Sequence, residues 1–80
     1  MQLLRIFSSN LRRYRIAAGL SQEAFAIKAG VHRTYISALE RGKRSIALDN
    51  IEKIAEALEI DAYLLLVEDS NEKTTRHREA

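Results

Sequence analysis

Apolar residues recur along the chain at the spacing of α-helices. A first stripe predicts a helix over about residues 4–18, and it consists of Phe7, Leu11, Tyr14 and Ala18. A later stripe predicts a helix over about residues 48–58, and it consists of Leu48, Ile51, Ile54, Ala55 and Leu58. Proline is absent and glycine is rare, which suits helices joined by short turns. The chain is therefore expected to be all-α.

Between these stripes, residues 21–41 read SQEAFAIKAGVHRTYISALER and predict two short helices joined by a tight turn. The small and apolar positions of this stretch are Phe25, Ala26, Ala29, Val31, Ile36 and Leu39. Gly30 lies between the two halves, where a positive φ costs glycine little, and Ala26 lets the second helix come close. This arrangement is that of a helix-turn-helix.

Residues that begin or end helices predict the remaining boundaries. Gly19 and Ser21 are expected to cap the end of the first helix and the start of the second. A short fifth helix is predicted to start after Asp61 as its N-cap. Residues 69–80 contain almost no apolar side chain, which predicts a disordered, charged tail. The predicted organisation is one folded domain over residues 1–68, followed by that tail.

The composition excludes several classes of function. The 80 residues allow one domain with a modest core. Cysteine is absent, which excludes disulfides and thiol catalysis. His32 is expected to start a helix rather than to bind a metal, and His77 has no partner at metal spacing. No glycine-rich phosphate loop is present, so neither an enzyme nor a cofactor is expected. The longest aliphatic run, at 64–67, is too short to span a membrane and the N-terminus makes a poor signal peptide, so a cytoplasmic location is expected.

Charge is distributed unevenly along the chain. The net charge is only +2, but residues 1–20 carry four arginines and no acid, and residues 31–44 carry four bases against one acid. Residues 45–69 carry seven acids against one lysine. A basic front half and an acidic back half indicate a protein with one side that faces a polyanion.

Four stretches together resemble a known family: SQEAFA, the turn AGV, RTYISALERGKR and LDNIEKIAEAL. They are similar to the lambda-repressor-like, Xre/Cro-type helix-turn-helix regulators, over about residues 6–66, and within that family to the controller proteins of restriction-modification systems. The resemblance implies a compact five-helix, lambda-repressor-like DNA-binding domain with the helix-turn-helix at helices 2 and 3. Ile46 and Ala47 depart from the Pro-Ser pair of many relatives, so Ser45 or Asp49 is expected to cap helix 4 instead.

The same resemblance implies which residues contact DNA. The second helix of the motif would enter the major groove near its N-terminus. The implied base-reading residues are Arg33, Thr34, Tyr35 and Ser37. The implied contacts to the DNA backbone are Arg15, Gln22, Arg41, Lys43 and Arg44, and Gln22 would also support the reading helix. The alternative for Tyr35 is that its side chain is partly buried and does not read a base. Glu40 is expected to pair with a neighbouring arginine rather than to contact DNA.

The apolar residues near the end of the sequence predict a dimer. Residues 63–67 are apolar in succession, so they point to all sides of a helix and leave one side for another subunit. The predicted interface consists of Ile60, Tyr63, Leu64, Leu66 and Val67. The alternative is that the tail folds back over this patch.

Together these features predict a sequence-specific transcriptional regulator that binds a pseudo-palindromic operator in double-stranded DNA as a homodimer. Restriction-modification genes are the expected targets, and RNA polymerase is a candidate partner at the promoter. The alternative is a protein of the antitoxin type, or of the phage or plasmid repressor type, whose main role includes binding a protein partner.

Overall fold

The computed structural model describes residues 2–68, which hold four α-helices and one 3-10 helix, and no strand. The α-helices are α1 (Gln2–Ala17), α2 (Gln22–Ala29), α3 (Arg33–Glu40) and α4 (Leu48–Leu58), and the 3-10 helix is Ala62–Leu66. The all-α prediction is confirmed for this part of the chain, and so are the predicted bounds of α4. The prediction that residues 69–80 form a disordered tail lies outside the described residues, as does His77.

The predicted fifth α-helix is wrong, because its residues form a 3-10 helix of five residues. Asp61 precedes this segment with extended dihedral angles, but its side chain makes no capping hydrogen bond. Val67 is extended again, with φ −98° and ψ 130°. A segment this short closes too few i→i+4 hydrogen bonds to form an α-helix, and the tighter 3-10 helix is common in such short pieces.

Local chemistry sets the turn of the helix-turn-helix. The Ser21 hydroxyl accepts a hydrogen bond from the backbone N–H of Ala24 at 3.0 Å, which confirms the predicted N-cap of α2. Gly30 ends α2 with φ 75° and ψ 33°, and the N–H of Val31 then reaches back to the carbonyl of Ala26 at 3.0 Å. These bonds satisfy backbone groups that a helix end leaves without partners. The direction of α3 relative to α2 is therefore fixed by backbone geometry as well as by packing.

The start of α4 lacks the expected cap. Ala47 occupies the N-cap position, and no side chain makes a capping hydrogen bond there. The expectation that Ser45 or Asp49 would substitute for a serine cap is therefore wrong. Only backbone bonds close this first turn, such as the one from the N–H of Ile51 to the carbonyl of Ala47 at 3.1 Å.

All five elements contribute to a single core. The largest fully buried side chains are Phe7, Phe25, Leu11, Ile36, Leu39, Ile54, Leu65 and Asn10. Burying an aliphatic or aromatic side chain contributes about 1.5–3 kcal/mol relative to its exposure, so this cluster holds the helices together. Two members of the predicted stripes are exposed: Ala18, which follows α1, and Leu48, the first residue of α4, which is 79% exposed.

Candidate nucleic-acid interface

The helix α3 has one buried face and one open face. Ile36 and Leu39 are fully buried and attach the helix to the core. Arg33 and Thr34 are exposed in its first turn, and Ser37 is half-buried one turn later. The first turn follows His32, which is extended and whose side chain accepts no capping hydrogen bond, so the initial N–H groups of α3 are open to a ligand. Two of the four predicted base-reading residues thus lie at the exposed beginning of the helix.

Tyr35, the third of these residues, is half-buried and is held by two other elements. The side-chain amide of Asn50, on α4, donates to the Tyr35 hydroxyl at 3.0 Å. The Arg44 guanidinium, in the loop between α3 and α4, lies 5.1 Å from the centroid of the Tyr35 ring, which is a cation–π distance. The hydroxyl keeps its own proton for donation, so this partial burial orients Tyr35 without removing it from the surface.

Beside Tyr35 lies an open groove of about 560 Å³ between α3 and α4. Its lining residues are Gly30, Val31, His32, Thr34, Tyr35, Arg44, Asn50 and Lys53. Arg44 and Lys53 bring two positive charges to a groove that also contains polar groups, which suits an anionic oxygen such as that of a phosphate. Sequence reasoning missed Asn50 and Lys53, because both lie on α4 in the acidic part of the chain.

At the other end of α3, Ser37 and Arg41 contact each other. One terminal nitrogen of Arg41 donates to the Ser37 hydroxyl at 2.6 Å, one helical turn apart. Both residues lie on the outer side of the helix, and Lys43 is exposed in the following turn. These three residues therefore continue the polar surface that begins at Arg33.

Arg15 does not lie on this surface, and its predicted contact with the DNA backbone is corrected by the structure. Its side chain is 9% exposed and pairs with Glu40, from Nε to Oε2 at 2.6 Å and from Nη2 to Oε1 at 3.0 Å. Its Nη1 donates to the carbonyl of Leu20 at 2.8 Å. Arg15 follows Leu11 by four residues, so it shares the buried face of α1. Glu40 pairs with an arginine as expected, but this arginine lies 25 positions away and is not a neighbour in the sequence.

The environment of Arg15 stabilises the charged form of its side chain. The hydrogen bond to Glu40 raises the pKa of Arg15, desolvation opposes this, and the Coulomb attraction of Glu40 adds to the increase. An arginine is already charged at any pH near neutrality, so Arg15 carries its positive charge there. The contact joins α1 to the end of α3 with a bidentate geometry.

Gln22 is part of the same cluster. Its side-chain nitrogen donates to Oε1 of Glu40 at 3.1 Å, which ties the first residue of α2 to the last residue of α3. Gln22 is half-buried, and its amide has further hydrogen-bonding capacity on the open side. The expectation that Gln22 supports the reading helix has this contact as its structural basis.

An apolar surface lies on another part of the molecule, formed by α1, by α4 with the loop before it, and by the 3-10 helix with the residue after it. We define it by the six residues Leu3, Ile46, Leu48, Tyr63, Leu66 and Val67. Tyr63 is 63% exposed and Leu48, which lines the same groove, is 79% exposed. Val67, directly after the 3-10 helix, is 46% exposed. Two grooves with mainly apolar walls meet at Leu48 and Leu66.

This surface differs in part from the predicted interface. Ile60 and Leu64 are half-buried, and neither lines the two grooves. Leu48 joins the surface instead; sequence reasoning had assigned it to the buried stripe of α4. None of the helices in residues 2–68 is both long and apolar enough to cross a membrane.

Comparisons with known proteins identify relatives over most of the chain. Residues 11–65 match the family model HTH_3, described as helix-turn-helix. A hypothetical transcription factor of Neisseria meningitidis is 48% identical over 65 residues, or 81% of this chain, although the aligned region spans 61% of that protein. Control protein C.BamHI of Bacillus amyloliquefaciens is 45% identical over 62 residues, which cover 76% of either protein.

Comparison with solved structures also identifies a transcription factor and a controller protein as relatives. The crystal structure of the hypothetical transcription factor NHTF from Neisseria superposes with a TM-score of 0.84 at 42% identity, and covers 91% of this chain and 84% of that one. The restriction-modification controller protein C.Esp1396I, as a tetramer in complex with its natural 35-base-pair operator, has a TM-score of 0.76 at 32% identity. That match covers 81% of this chain and 86% of the controller chain. The names of these relatives describe transcription factors and control proteins rather than enzymes.

Proposed function

This chain belongs to the HTH_3 family of helix-turn-helix regulators and is related to restriction-modification controller proteins; from that premise we propose that it regulates transcription by binding a pseudo-palindromic operator as a homodimer. The observation that carries the proposal is the position of α3. Arg33 and Thr34 are exposed in its first turn, while polar contacts hold the helix at both ends. A reading helix has to be open to the groove and rigid in direction.

Direct reading of bases is assigned to the exposed side of α3. Arg33 presents a planar fork of donors that matches O6 and N7 of guanine in the major groove. Thr34 offers either a hydroxyl to a base or a methyl group to thymine. Tyr35 and Ser37 are close enough in the helix to complete the reading surface, Tyr35 through its ring or its hydroxyl. One such bidentate contact contributes about 1–3 kcal/mol of discrimination.

Contacts to the DNA backbone are assigned to both ends of α3. Gln22 would hold a phosphate at the start of α2, where helix N–H groups also point outward. Arg41 and Lys43 would act near the end of α3, and Arg44 beside its beginning. The groove next to Arg44 adds two polar groups from α4 to this proposal, Asn50 and Lys53. These contacts fix the position of the reading helix and carry no sequence information themselves.

Association of two copies is assigned to the apolar surface. A protein of this size gains little by leaving several large apolar side chains in water, and a two-fold contact between identical surfaces would cover them. The residues 1–68 would thus form a DNA-binding and dimerisation domain. Two reading helices about 34 Å apart reach successive major grooves on one side of the duplex. The tetrameric operator complex of C.Esp1396I supports association of several copies on DNA in this family.

The biological role follows from the same premise. We propose that the operator lies beside promoters of restriction-modification genes, as the relationship to C.BamHI supports. A bound dimer would then block RNA polymerase or recruit it, according to where the operator lies relative to the promoter. The action would take place in the cytoplasm, where the DNA is.

A binding selection from a random duplex library tests this proposal. We expect enrichment of an inverted repeat whose half-sites are about one helical turn apart. Recovery of sequence-independent, salt-sensitive binding alone would contradict it. A partner-binding function of the antitoxin type would then be the better account, and co-purification with a toxin encoded by a neighbouring gene would identify it.

A further inference from the structure

We propose that Asn10, in the middle of α1, positions residues 62–67 and thereby shapes the surface through which two copies of this chain associate. The inference rests on the homodimer proposed above. Asn10 is 1% exposed, and it is one of three polar or charged residues that the described part of the chain buries. Its contacts connect α1 to a segment more than fifty positions later in the sequence.

The side-chain amide of Asn10 binds the backbone of this segment. Its Nδ2 donates to the carbonyl of Leu65 at 2.9 Å and to that of Val67 at 2.8 Å, with a longer contact to Leu64 at 3.3 Å. Its Oδ1 accepts from Nη2 of Arg13 at 2.9 Å. Both ends of the amide are therefore satisfied, as a buried polar group requires.

The segment depends on such an external contact. A 3-10 helix of five residues has few internal hydrogen bonds, and the last carbonyls of a helical turn have no partner inside it. Asn10 supplies the missing donors from the side of the core. Leu65, whose side chain is fully buried, anchors the same segment by packing.

These two anchors determine which side chains point outward. With Leu65 in the core and three carbonyls turned towards α1, Tyr63 and Val67 face solvent, and Leu66 lies where the two apolar grooves meet. Without the donors of Asn10, the carbonyls would be buried unpaired or would turn towards water. Either change would displace the residues of the apolar surface. Asn10 thus acts on association through the backbone, without contacting the partner.

The test replaces Asn10 by aspartate and measures association by sedimentation over a wide range of protein concentrations. Asn10→Asp has nearly the same shape and can still accept from Arg13, but it places carboxylate oxygens against the three carbonyls. We expect dimer formation to weaken by about tenfold or more, since a buried acceptor loses its donor. Hydrogen exchange is expected to increase at the amides of residues 62–67, while α2, α3 and α4 stay protected.

Two control variants separate positioning from general stability. Ser8→Ala changes another buried residue of α1, whose hydroxyl has no hydrogen-bond partner among the described residues, and it is expected to leave association unchanged. Phe25→Leu lowers stability through a core cavity in α2, and its dimer is expected to form normally under conditions where the monomer is folded. Asn10→Ala, which removes the donors without adding charge, is expected to weaken association in the same way.

The possible outcomes test the role of Asn10 separately from the homodimer on which that role rests. A wild-type protein that remains monomeric would overturn both the homodimer and the role of Asn10 in it. A wild-type dimer together with an equally tight Asn10→Asp dimer would overturn the role of Asn10 alone. If Asn10→Asp and Asn10→Ala both lost protection in all helices, Asn10 would be a residue of general stability and the inference would also fall.

Discussion

Two polar clusters hold α3, and they differ in their exposure to solvent. At the end of the helix, Glu40 binds Arg15 and Gln22, and the side chains of the ion pair are 9% and 3% exposed. Near the beginning, Tyr35 accepts from Asn50 beneath Arg44, in an open groove. The Arg15–Glu40 pair of the first cluster is closed to a ligand and fixes the helix to the fold. The second offers its groups to DNA, so the exposure of a polar cluster separates a structural role from a binding role.

The largest effect is expected from breaking the buried cluster. Glu40→Ala leaves the charge of Arg15 buried without its partner, which should lower the free energy of unfolding by about 3–5 kcal/mol. Urea denaturation monitored by circular dichroism measures this loss. The double variant Arg15→Met with Glu40→Leu should be more stable than Glu40→Ala, because no unpaired charge remains.

An exposed ion pair provides the control for that experiment. Lys28 and Glu59 are 3.2 Å apart, with side chains 45% and 79% exposed. Lys28→Ala should change the free energy of unfolding by less than about 1 kcal/mol, since solvent screens the pair. Equal losses from Glu40→Ala and Lys28→Ala would show that burial does not distinguish the two contacts.

The next largest effect is expected at Arg33, where a substitution should weaken DNA binding without changing the stability of the fold. Arg33→Ala removes an exposed side chain at the start of α3, so the folded protein should keep its stability. Its affinity for the selected operator should fall by about 1–3 kcal/mol if Arg33 pairs with guanine. Fluorescence anisotropy with a labelled duplex measures the affinity. If Arg33→Ala bound the operator with the affinity of the wild type, Arg33 would not be a base-reading residue.

A smaller effect is expected from the exposed cluster. Tyr35→Phe keeps the ring beneath Arg44 and removes the hydroxyl that accepts from Asn50, while Asn50→Ala removes the donor. Each change should cost about 0.5–1.5 kcal/mol of operator binding, and the double variant should cost less than the sum, because both remove one hydrogen bond. A double-mutant cycle on operator affinity measures this coupling. Strict additivity would show that the two residues act independently.

The smallest effect is expected at Lys43, exposed in the turn after α3. Lys43→Ala should weaken binding to operator and to unrelated duplexes by similar factors. The slope of log affinity against log salt should become shallower by about 0.9 if one phosphate contact is lost. A salt titration with two duplexes checks both parts. A loss confined to the operator would instead make Lys43 a residue that reads sequence.

Sequence reasoning succeeded where a feature depends on neighbouring residues. The cap at Ser21, the turn at Gly30 and the bounds of α4 depend on residues within one or two turns. It failed where the partner is distant: Arg15 meets Glu40 25 positions away, and Asn50 meets Tyr35 15 positions away. Charge alone cannot tell an arginine that binds phosphate from one that is buried beside a carboxylate. Only the packing of α1 against α3 decides this for Arg15.

The last segment of the domain illustrates the same limit. The successive apolar residues 63–67 predicted a helix and a surface for association. The sequence does not show which of their side chains points into the core. The burial of Leu65 and the hydrogen bonds from Asn10 set that rotation, and both come from tertiary contacts. Leu48 is exposed for a similar reason, because position on a stripe does not specify burial at the first residue of a helix.

The central claim is that α3 reads a symmetric operator as part of a dimer. The most direct measurement is a binding selection from a random duplex library, run in parallel with the wild-type protein and with Arg33→Ala. We predict an inverted repeat for the wild type, and for the variant the loss of base preference at one position in each half-site, related by the two-fold axis. An asymmetric wild-type site, or an unchanged preference in the variant, would contradict the claim.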